Sequence, residues 1–124
     1  MKSILLVFVG GGLGSVLRFW FGKLFNNPLP ALPYGTWISN FLACLIFGIM
    51  AGFIYNKLVD EDTKKFVLTG FCGGLSTFSS FNFELYELIR HEQFGYAIVY
   101  LVGSLITCLV GFSLSFMLMK MLLD

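Results

Sequence analysis

Residues 70–81, GFCGGLSTFSSF, combine three glycines, four hydroxyl side chains and three phenylalanines inside a hydrophobic region. Adjacent Gly73 and Gly74 disfavour a continuous helix, because each glycine is roughly 1 kcal/mol less favourable there than alanine. The hydroxyl residues that follow offer the backbone competing local hydrogen bonds. We therefore predict a helix break near residues 73–77 and a half-helix that restarts near Ser76. Such a break frees backbone carbonyls, and unwound carbonyls coordinate cations in other membrane proteins. The partially positive N-terminus of the restarting half-helix would also point at the break.

Two aromatic side chains follow the predicted break. Phe78 and Phe81 are three residues apart and therefore share one helix face, with Ser80 on a neighbouring face. An aromatic ring has a positive edge and a negative face. Two ring edges turned towards a channel could stabilise a small dehydrated anion, while the rings themselves resist wetting. The alternative, that the rings only pack against other helices, stays equally open at this point.

Two polar residues lie in otherwise apolar segments upstream. Arg18 is costly to bury in a membrane, so it either extends to the interface past Lys23 or supplies a positive charge at an aqueous vestibule. Asn40 offers two donors and one acceptor carbonyl. Its carboxamide either forms an interhelical hydrogen bond or points a donor into a pore. The spacing alone leaves both pairs of alternatives open.

Other groups that could take part in chemistry receive weaker assignments. Glu84 could couple to protons or line a vestibule, but a helix-end charge is the default interpretation. Cys44, Cys72 and Cys108 fall in the middle of apolar segments without paired metal-ligand spacing. We expect them to be small interfacial side chains instead of disulfides or zinc ligands.

The elements that position these residues are membrane helices. The 124-residue chain is 57% hydrophobic and 12% charged, about half the charged content of a typical soluble domain. Residues 34–56, 66–83 and 94–119 lack charged side chains, and residues 3–25 contain only Arg18 and Lys23. Each segment reaches the roughly 18–20 residues that cross a bilayer. We predict an all-α integral membrane protein with four transmembrane helices, forming one domain over residues 1–124.

Assembly and orientation follow from the same pattern. Four helices enclose little interior, so we expect an oligomer. Small residues recur every four positions, as in Gly10, Gly14 and Gly22 of the first span, which lets membrane helices approach closely. Positive charges favour termini in the cytoplasm, but by a small margin. The net charge of +1 does not indicate binding of nucleic acid.

Three spaced motifs resemble one family. The segment GFCGGLSTFSSF, the segment GGGLGSVLRFW (residues 10–20) and the segment GTWISN with Gly48 (residues 35–48) are similar to motifs of the small dual-topology fluoride channels, the Fluc or CrcB family. The resemblance implies a passive channel in the bacterial inner membrane that exports toxic fluoride. It also implies an antiparallel homodimer with two parallel pores built from both subunits.

The resemblance also implies roles for individual residues. Fluoride would meet a pore lined by Phe78, Phe81, Asn40, Ser80 and Ser104. Arg18 would lie at the vestibule. A structural sodium ion at the dimer centre would bind the backbone carbonyls of Gly73 and Ser76. Ser76 stands where the family usually has threonine, and Cys108 stands where a hydroxyl can extend the polar track after Ser104.

Two other classes of function compete with a channel. A small multidrug-type, proton-coupled exporter is also four-span and dimeric, but it needs an embedded carboxylate early in the chain, and Glu84 comes late. An assembly subunit without transport would have no need of Asn40 or of the broken segment. An enzyme is not expected, because the sequence shows neither a nucleophile–base pair nor a metal cluster.

Overall fold

The computed structural model describes residues 1–28 and 30–124 of the chain. Its helices are α1 (Lys2–Phe25), α2 (Tyr34–Tyr55), α3 (Glu61–Lys64), a π-helix (Lys65–Cys72), α4 (Gly73–Leu75), α5 (Phe78–Arg90) and α6 (Phe94–Leu123). Within the described residues there is no β-strand, and one isolated antiparallel bridge joins Asn26 to Pro33. The prediction of an all-α protein is confirmed.

Among the described residues, three helices are long and apolar enough to cross a membrane, namely α1 with 24 residues, α2 with 22 and α6 with 30. The third predicted span is instead a series of shorter pieces that runs from α3 to α5. At about 1.5 Å per residue, none of these pieces alone crosses a hydrocarbon core of ~30 Å. The predicted four-span arrangement therefore requires the pieces on both sides of the break to act together.

The helix breaks at Ser76 and Thr77. Both residues have extended backbone, with φ/ψ of −83°/151° for Ser76 and −149°/121° for Thr77. This position lies inside the window predicted from the sequence. The restart is two residues later than predicted, because α5 begins at Phe78 and Thr77 is its N-cap. The Thr77 hydroxyl accepts a hydrogen bond from the Ser80 amide at 3.1 Å, as threonine commonly does at a helix start.

The glycines before the break are themselves helical, which corrects the reason given for the break. A Cβ on Gly74 would lie 2.3 Å from the Gly11 carbonyl oxygen, and one on Gly14 would lie 2.1 Å from the Phe71 carbonyl oxygen. These glycines therefore let α1 approach the π-helix and α4 backbone to backbone. The predicted close approach of small residues is confirmed at this interface.

The second long interface joins α2 to α6. A Cβ on Gly48 would lie 2.1 Å from the Ser115 hydroxyl oxygen, and one on Gly103 would lie 2.6 Å from the Trp37 ring. The Trp37 indole also donates to the Thr107 hydroxyl at 2.9 Å. The two interfaces thus pair α1 with the segment before the break and α2 with α6.

The segment between α2 and the π-helix is tied to the start of α1. Asp60 is the N-cap of α3 and accepts a hydrogen bond from the Thr63 amide at 3.3 Å. Hydrogen bonding with the Thr63 side chain, and to a smaller extent with its amide, lowers the pKa of the Asp60 carboxyl below its ordinary value. The Lys2 ammonium lies 2.5 Å from the Asp62 carboxylate. The Lys65 ammonium donates to the Ser3 hydroxyl at 2.9 Å. These contacts place charged groups at one end of the helices.

Prediction of a stability effect follows from the α1 interface. Gly14→Ala should destabilise the protein by about 1–3 kcal/mol, because its methyl group would overlap backbone atoms that cannot move aside easily. Gly12→Ala is the matched control, since a Cβ there meets no atom within 4 Å. Thermal unfolding in detergent should show a lower midpoint for the first variant only. Equal midpoints would contradict the close approach of α1 and α4.

Candidate ion-binding site

A pocket of about 260 Å³ lies beside the helix break, and we name it the aromatic pocket. It is lined by four of the five predicted pore residues, Asn40, Phe78, Phe81 and Ser104. The residues of the break, Ser76 and Thr77, and the thiols of Cys44 and Cys108 also contribute to its wall. The structure thus brings these four residues to one cavity, which is assembled from α2, α5, α6 and the break.

The two phenylalanines of the aromatic pocket differ in their surroundings. Their ring centroids are 6.1 Å apart, with planes inclined by 28°. Phe81 is 5% exposed and packs against Tyr100 of α6 at 4.9 Å between centroids. Phe78 is 74% exposed. The predicted shared face is confirmed, but only the inner ring is fixed by contacts within this chain.

Asn40 binds the backbone of the break at two points. Its Oδ1 accepts a hydrogen bond from the Thr77 amide at 2.7 Å, and its Nδ2 donates to the Thr77 carbonyl at 3.3 Å. The interhelical hydrogen bond considered from the sequence is therefore present. An asparagine amide has a second N–H, so Asn40 can hold the break and still offer a donor to the aromatic pocket.

Ser104 brings a free hydroxyl to the same pocket. Its Oγ is buried and has no hydrogen-bond partner among the described residues. Leaving such a group unsatisfied costs about 1–3 kcal/mol. A polar ligand in the aromatic pocket would relieve this cost, so the hydroxyl points to a bound polar species.

The break also releases the two carbonyls that the sequence assigned to a cation. In a continuous helix, the Gly73 carbonyl would accept from the Thr77 amide and the Ser76 carbonyl from the Ser80 amide. Here the Thr77 amide donates to Asn40 and the Ser80 amide donates to the Thr77 hydroxyl. Both acceptors are thereby left available, and this fits a hard cation that prefers oxygen ligands.

Gly73 and Ser76 also border a second cavity. This cavity of about 400 Å³ is named the thiol cavity, because Cys44, Cys72 and Cys108 all line it. Gly73 is exposed, and apolar side chains of α2, the π-helix and α6 complete the lining. Ser76, Cys44 and Cys108 form the shared wall between the thiol cavity and the aromatic pocket.

A third pocket contains two positively charged side chains. This basic pocket of about 280 Å³ is lined by Arg18, Lys23, Ser80 and Glu84, among others. Ser80 therefore faces the basic pocket and not the aromatic pocket in which its predicted pore partners lie. Arg18 is half-buried, and its Nε donates to the Gly74 carbonyl at 2.9 Å. The guanidinium thus joins α1 to the end of α4 while its charge remains at the pocket.

Glu84 lies within α5 and not at a helix end, which corrects its default interpretation. It is hydrogen-bonded by two hydroxyls: Thr36 donates to one carboxylate oxygen at 2.7 Å, and Tyr100 donates to the other at 2.7 Å. Tyr100 in turn packs on Phe81. The network therefore connects the basic pocket to the inner ring of the aromatic pocket.

Thr36, Thr77 and Tyr100 are functional candidates that the sequence prediction omitted. Tyr100 lies one helical turn before Ser104, so the same spacing argument that groups Ser104 with Cys108 includes it. Thr77 matches the preference of helix N-caps for threonine. Thr36 lies one helical turn before Asn40, so the same spacing includes it, but its partner is a carboxylate 48 positions away in the chain.

These features define a multi-pass membrane protein in which polar and aromatic side chains meet at a broken helix. Residues 5–116 match the family described as CrcB-like protein, Camphor Resistance (CrcB). The chain belongs to this family, as its motifs predicted. It is accordingly a multi-pass protein of the bacterial inner membrane.

Two curated relatives illustrate the similarity. The chain is 40% identical over 118 residues to the "Fluoride-specific ion channel FluC" of Pectobacterium carotovorum subsp. carotovorum (strain PC1), which covers 91% of this chain and 93% of that protein. It is 39% identical over 117 residues to the protein of the same name from Escherichia coli O1:K1 / APEC, covering 90% and 93%. These names describe channels, in agreement with the expectation of a protein that is not an enzyme.

A prediction follows from the contacts of Asn40. Asn40→Ala should leave the Thr77 amide and carbonyl without their partners, at a cost of about 1–3 kcal/mol. Hydrogen exchange should therefore become faster at the Thr77 amide and at the first turn of α5. Asn56→Ala is the control, because that side chain donates to the Gly52 carbonyl of its own helix. Unchanged exchange at Thr77 in Asn40→Ala would contradict the assigned hydrogen bonds.

Proposed function

We propose that this chain is a passive, fluoride-selective channel that exports toxic fluoride from the bacterial cytoplasm. The observation that carries the proposal is the aromatic pocket, where the unpartnered Ser104 hydroxyl lies with Asn40, Phe78 and Phe81. The names of the curated relatives support fluoride as the ion. Membership of their family supports a channel and not a carrier.

The chemistry of fluoride matches this set of groups. Fluoride is a small, strongly hydrated anion, so a pathway must replace water with donors placed at short range. The free amide N–H of Asn40 and the Ser104 hydroxyl supply such donors. The positive ring edges of Phe78 and Phe81 add a weaker attraction, and their apolar faces limit wetting. A pathway lined by these four side chains would favour a compact anion over a larger one.

The basic pocket fits the mouth of such a pathway. Arg18 and Lys23 contribute two positive charges there, and Glu84 contributes one carboxyl that two hydroxyls already bind. A cationic concavity raises the local concentration of anions. We assign Ser80 to this mouth, next to Arg18, and Cys108 to the wall of the aromatic pocket after Ser104.

The proposed active unit is an antiparallel homodimer of four-span domains, each comprising residues 1–124. The exposure of Phe78 and Gly73 supports this assembly, because both belong to sites that one chain leaves open. The partner subunit would cover these surfaces and complete two pores. A small difference in positive charge between the two sides of the membrane is compatible with insertion in both orientations.

A structural sodium ion is proposed where the broken helices of two subunits meet. The support is the pair of released carbonyls, Gly73 and Ser76, whose helical donors are diverted to Asn40 and Thr77. Unwound carbonyls coordinate sodium in other membrane proteins. Bound there, the cation would neutralise carbonyl dipoles and link the subunits.

A proton-coupled exporter gains no support from the site. Its mechanism requires a carboxylate that exchanges protons and substrate with water. Glu84 borders the basic pocket, but Thr36 and Tyr100 already donate to both of its carboxylate oxygens. We therefore retain the channel as the proposed function.

The main test of the proposed function is flux through reconstituted protein. Liposomes loaded with fluoride should release it rapidly under a potassium diffusion potential, and chloride-loaded liposomes should not. Phe81→Ile should slow fluoride release by about tenfold or more, which corresponds to ~1.4 kcal/mol in the barrier. Phe94→Ile is the matched control, because Phe94 lies at the start of α6 outside these pockets. Equal release of both anions, or no effect of Phe81→Ile, would overturn the proposal.

The proposed sodium site has a separate test in detergent. Replacing N-methylglucamine with sodium should raise the thermal midpoint of the protein in a saturable way, as any ligand of the folded state does. Thr77→Val removes the hydroxyl that binds the Ser80 amide, so it should weaken this response. Thr69→Val, at an exposed position of the π-helix, should keep it. A sodium response of the same size in both variants would count against the assigned carbonyls.

A further inference from the structure

Two thiols form a pair in the wall between the aromatic pocket and the thiol cavity. Cys44 of α2 follows Asn40 by one helical turn, and Cys108 of α6 follows Ser104 by one turn. Both thiols line both cavities, so the two side chains share one wall. Neither is fully buried. The packing of α2 along α6 therefore presents two sulfur atoms to the same space.

The third cysteine is placed differently. Cys72 of the π-helix lines the thiol cavity but not the aromatic pocket, and it is 2% exposed. Within the described residues, no three His, Cys, Asp or Glu side chains are grouped closely enough to hold a metal ion. A metal that needs three or four protein ligands, such as zinc, is therefore not suited to this cavity. A metal ion that accepts two protein ligands is suited to it.

We propose that Cys44 and Cys108 form a two-coordinate site for a soft divalent metal ion, of which Hg²⁺ is the representative. Thiolates are the ligands that soft metals prefer. On binding, two S–H bonds break, two S–Hg bonds form and two protons leave to solvent, with no change of oxidation state.

The charge of the product favours a divalent ion. Two thiolates and one Hg²⁺ give a neutral bridge, which the apolar lining of the thiol cavity can accept. Two thiolates with a monovalent soft ion would leave one negative charge buried, which is costly without a partner. The bridge would also tie α2 to α6 beside Ser104. If the proposed function holds, this should arrest ion movement through the aromatic pocket.

Metal binding can be tested on the purified protein without any measurement of flux. The wild-type chain and three variants, Cys44→Ser, Cys108→Ser and Cys72→Ser, receive one equivalent of HgCl₂ and then a monothiol competitor. Retained mercury is measured, and the remaining free thiols are counted with a maleimide mass tag after unfolding in SDS. Size-exclusion profiles verify that each variant is folded.

The wild type and Cys72→Ser should each retain one mercury per chain. Cys44→Ser and Cys108→Ser should lose it to the monothiol at concentrations on the order of a hundredfold lower, because two linked ligands bind far more tightly than one. The free thiol left in the mercury-bound wild type should be Cys72. Loss of mercury from Cys72→Ser, or its retention by both other variants, would overturn the proposed pair.

The consequence for transport rests on the proposed function and is measured separately. In fluoride-loaded liposomes, HgCl₂ should arrest efflux through the wild type and Cys72→Ser but not through Cys44→Ser. Absence of efflux before mercury is added would refute the proposed function and leave the binding result intact. Normal efflux without mercury retention would refute only the thiol pair.

Discussion

The two hydrogen bonds between Asn40 and the backbone of Thr77 determine how the helix break is built. They replace bonds that a continuous helix would form internally, so the extended residues Ser76 and Thr77 do not leave Thr77 unsatisfied. An extended backbone at membrane depth is tolerated only where protein or a water-filled cavity surrounds it. One side chain of α2 thus stabilises the break, frees the Gly73 carbonyl and borders the aromatic pocket.

Close helix packing positions the other side of the break. Glycines at the α1 interface remove the side chains that would hold the backbones of α1 and α4 apart. The half-buried Arg18 adds a bond from α1 to the Gly74 carbonyl. The end of α4 is therefore held from two sides. Several ordinary contacts together therefore fix the position of the break.

The sequence predicted features that depend on a single helix. The break window, the shared face of Phe78 and Phe81 and the close approach of glycines all follow from local composition or spacing. Four predicted pore residues did meet in one pocket. The family resemblance contributed to this result, because spacing alone left Asn40 with two interpretations.

The errors concern relations between helices. Periodicity shows which residues share a face, but it does not show which neighbour that face meets. Ser80 therefore lies at the basic pocket, whereas the other predicted pore residues line the aromatic pocket. Glu84 was interpreted as a helix-end charge because its partners, Thr36 and Tyr100, come from two other helices. Gly73 and Gly74 were assigned to the break because glycine weakens helices, whereas both are helical and Gly74 admits α1.

The π-helix before the break has a consequence for the rotation of everything that follows it. In a π-helix each backbone amide bonds the carbonyl five residues earlier instead of four. Its turns are therefore wider and hold more residues than the turns of an α-helix. Converting Lys65–Cys72 to α-helix without removing a residue would turn the downstream segment by on the order of 100° around its axis, because the wide turns hold about one extra residue. Gly74 would then leave the groove of α1, and the carbonyl of Gly73 would face a different helix. The wide turns of the π-helix thus determine which side of the broken segment faces each neighbouring helix.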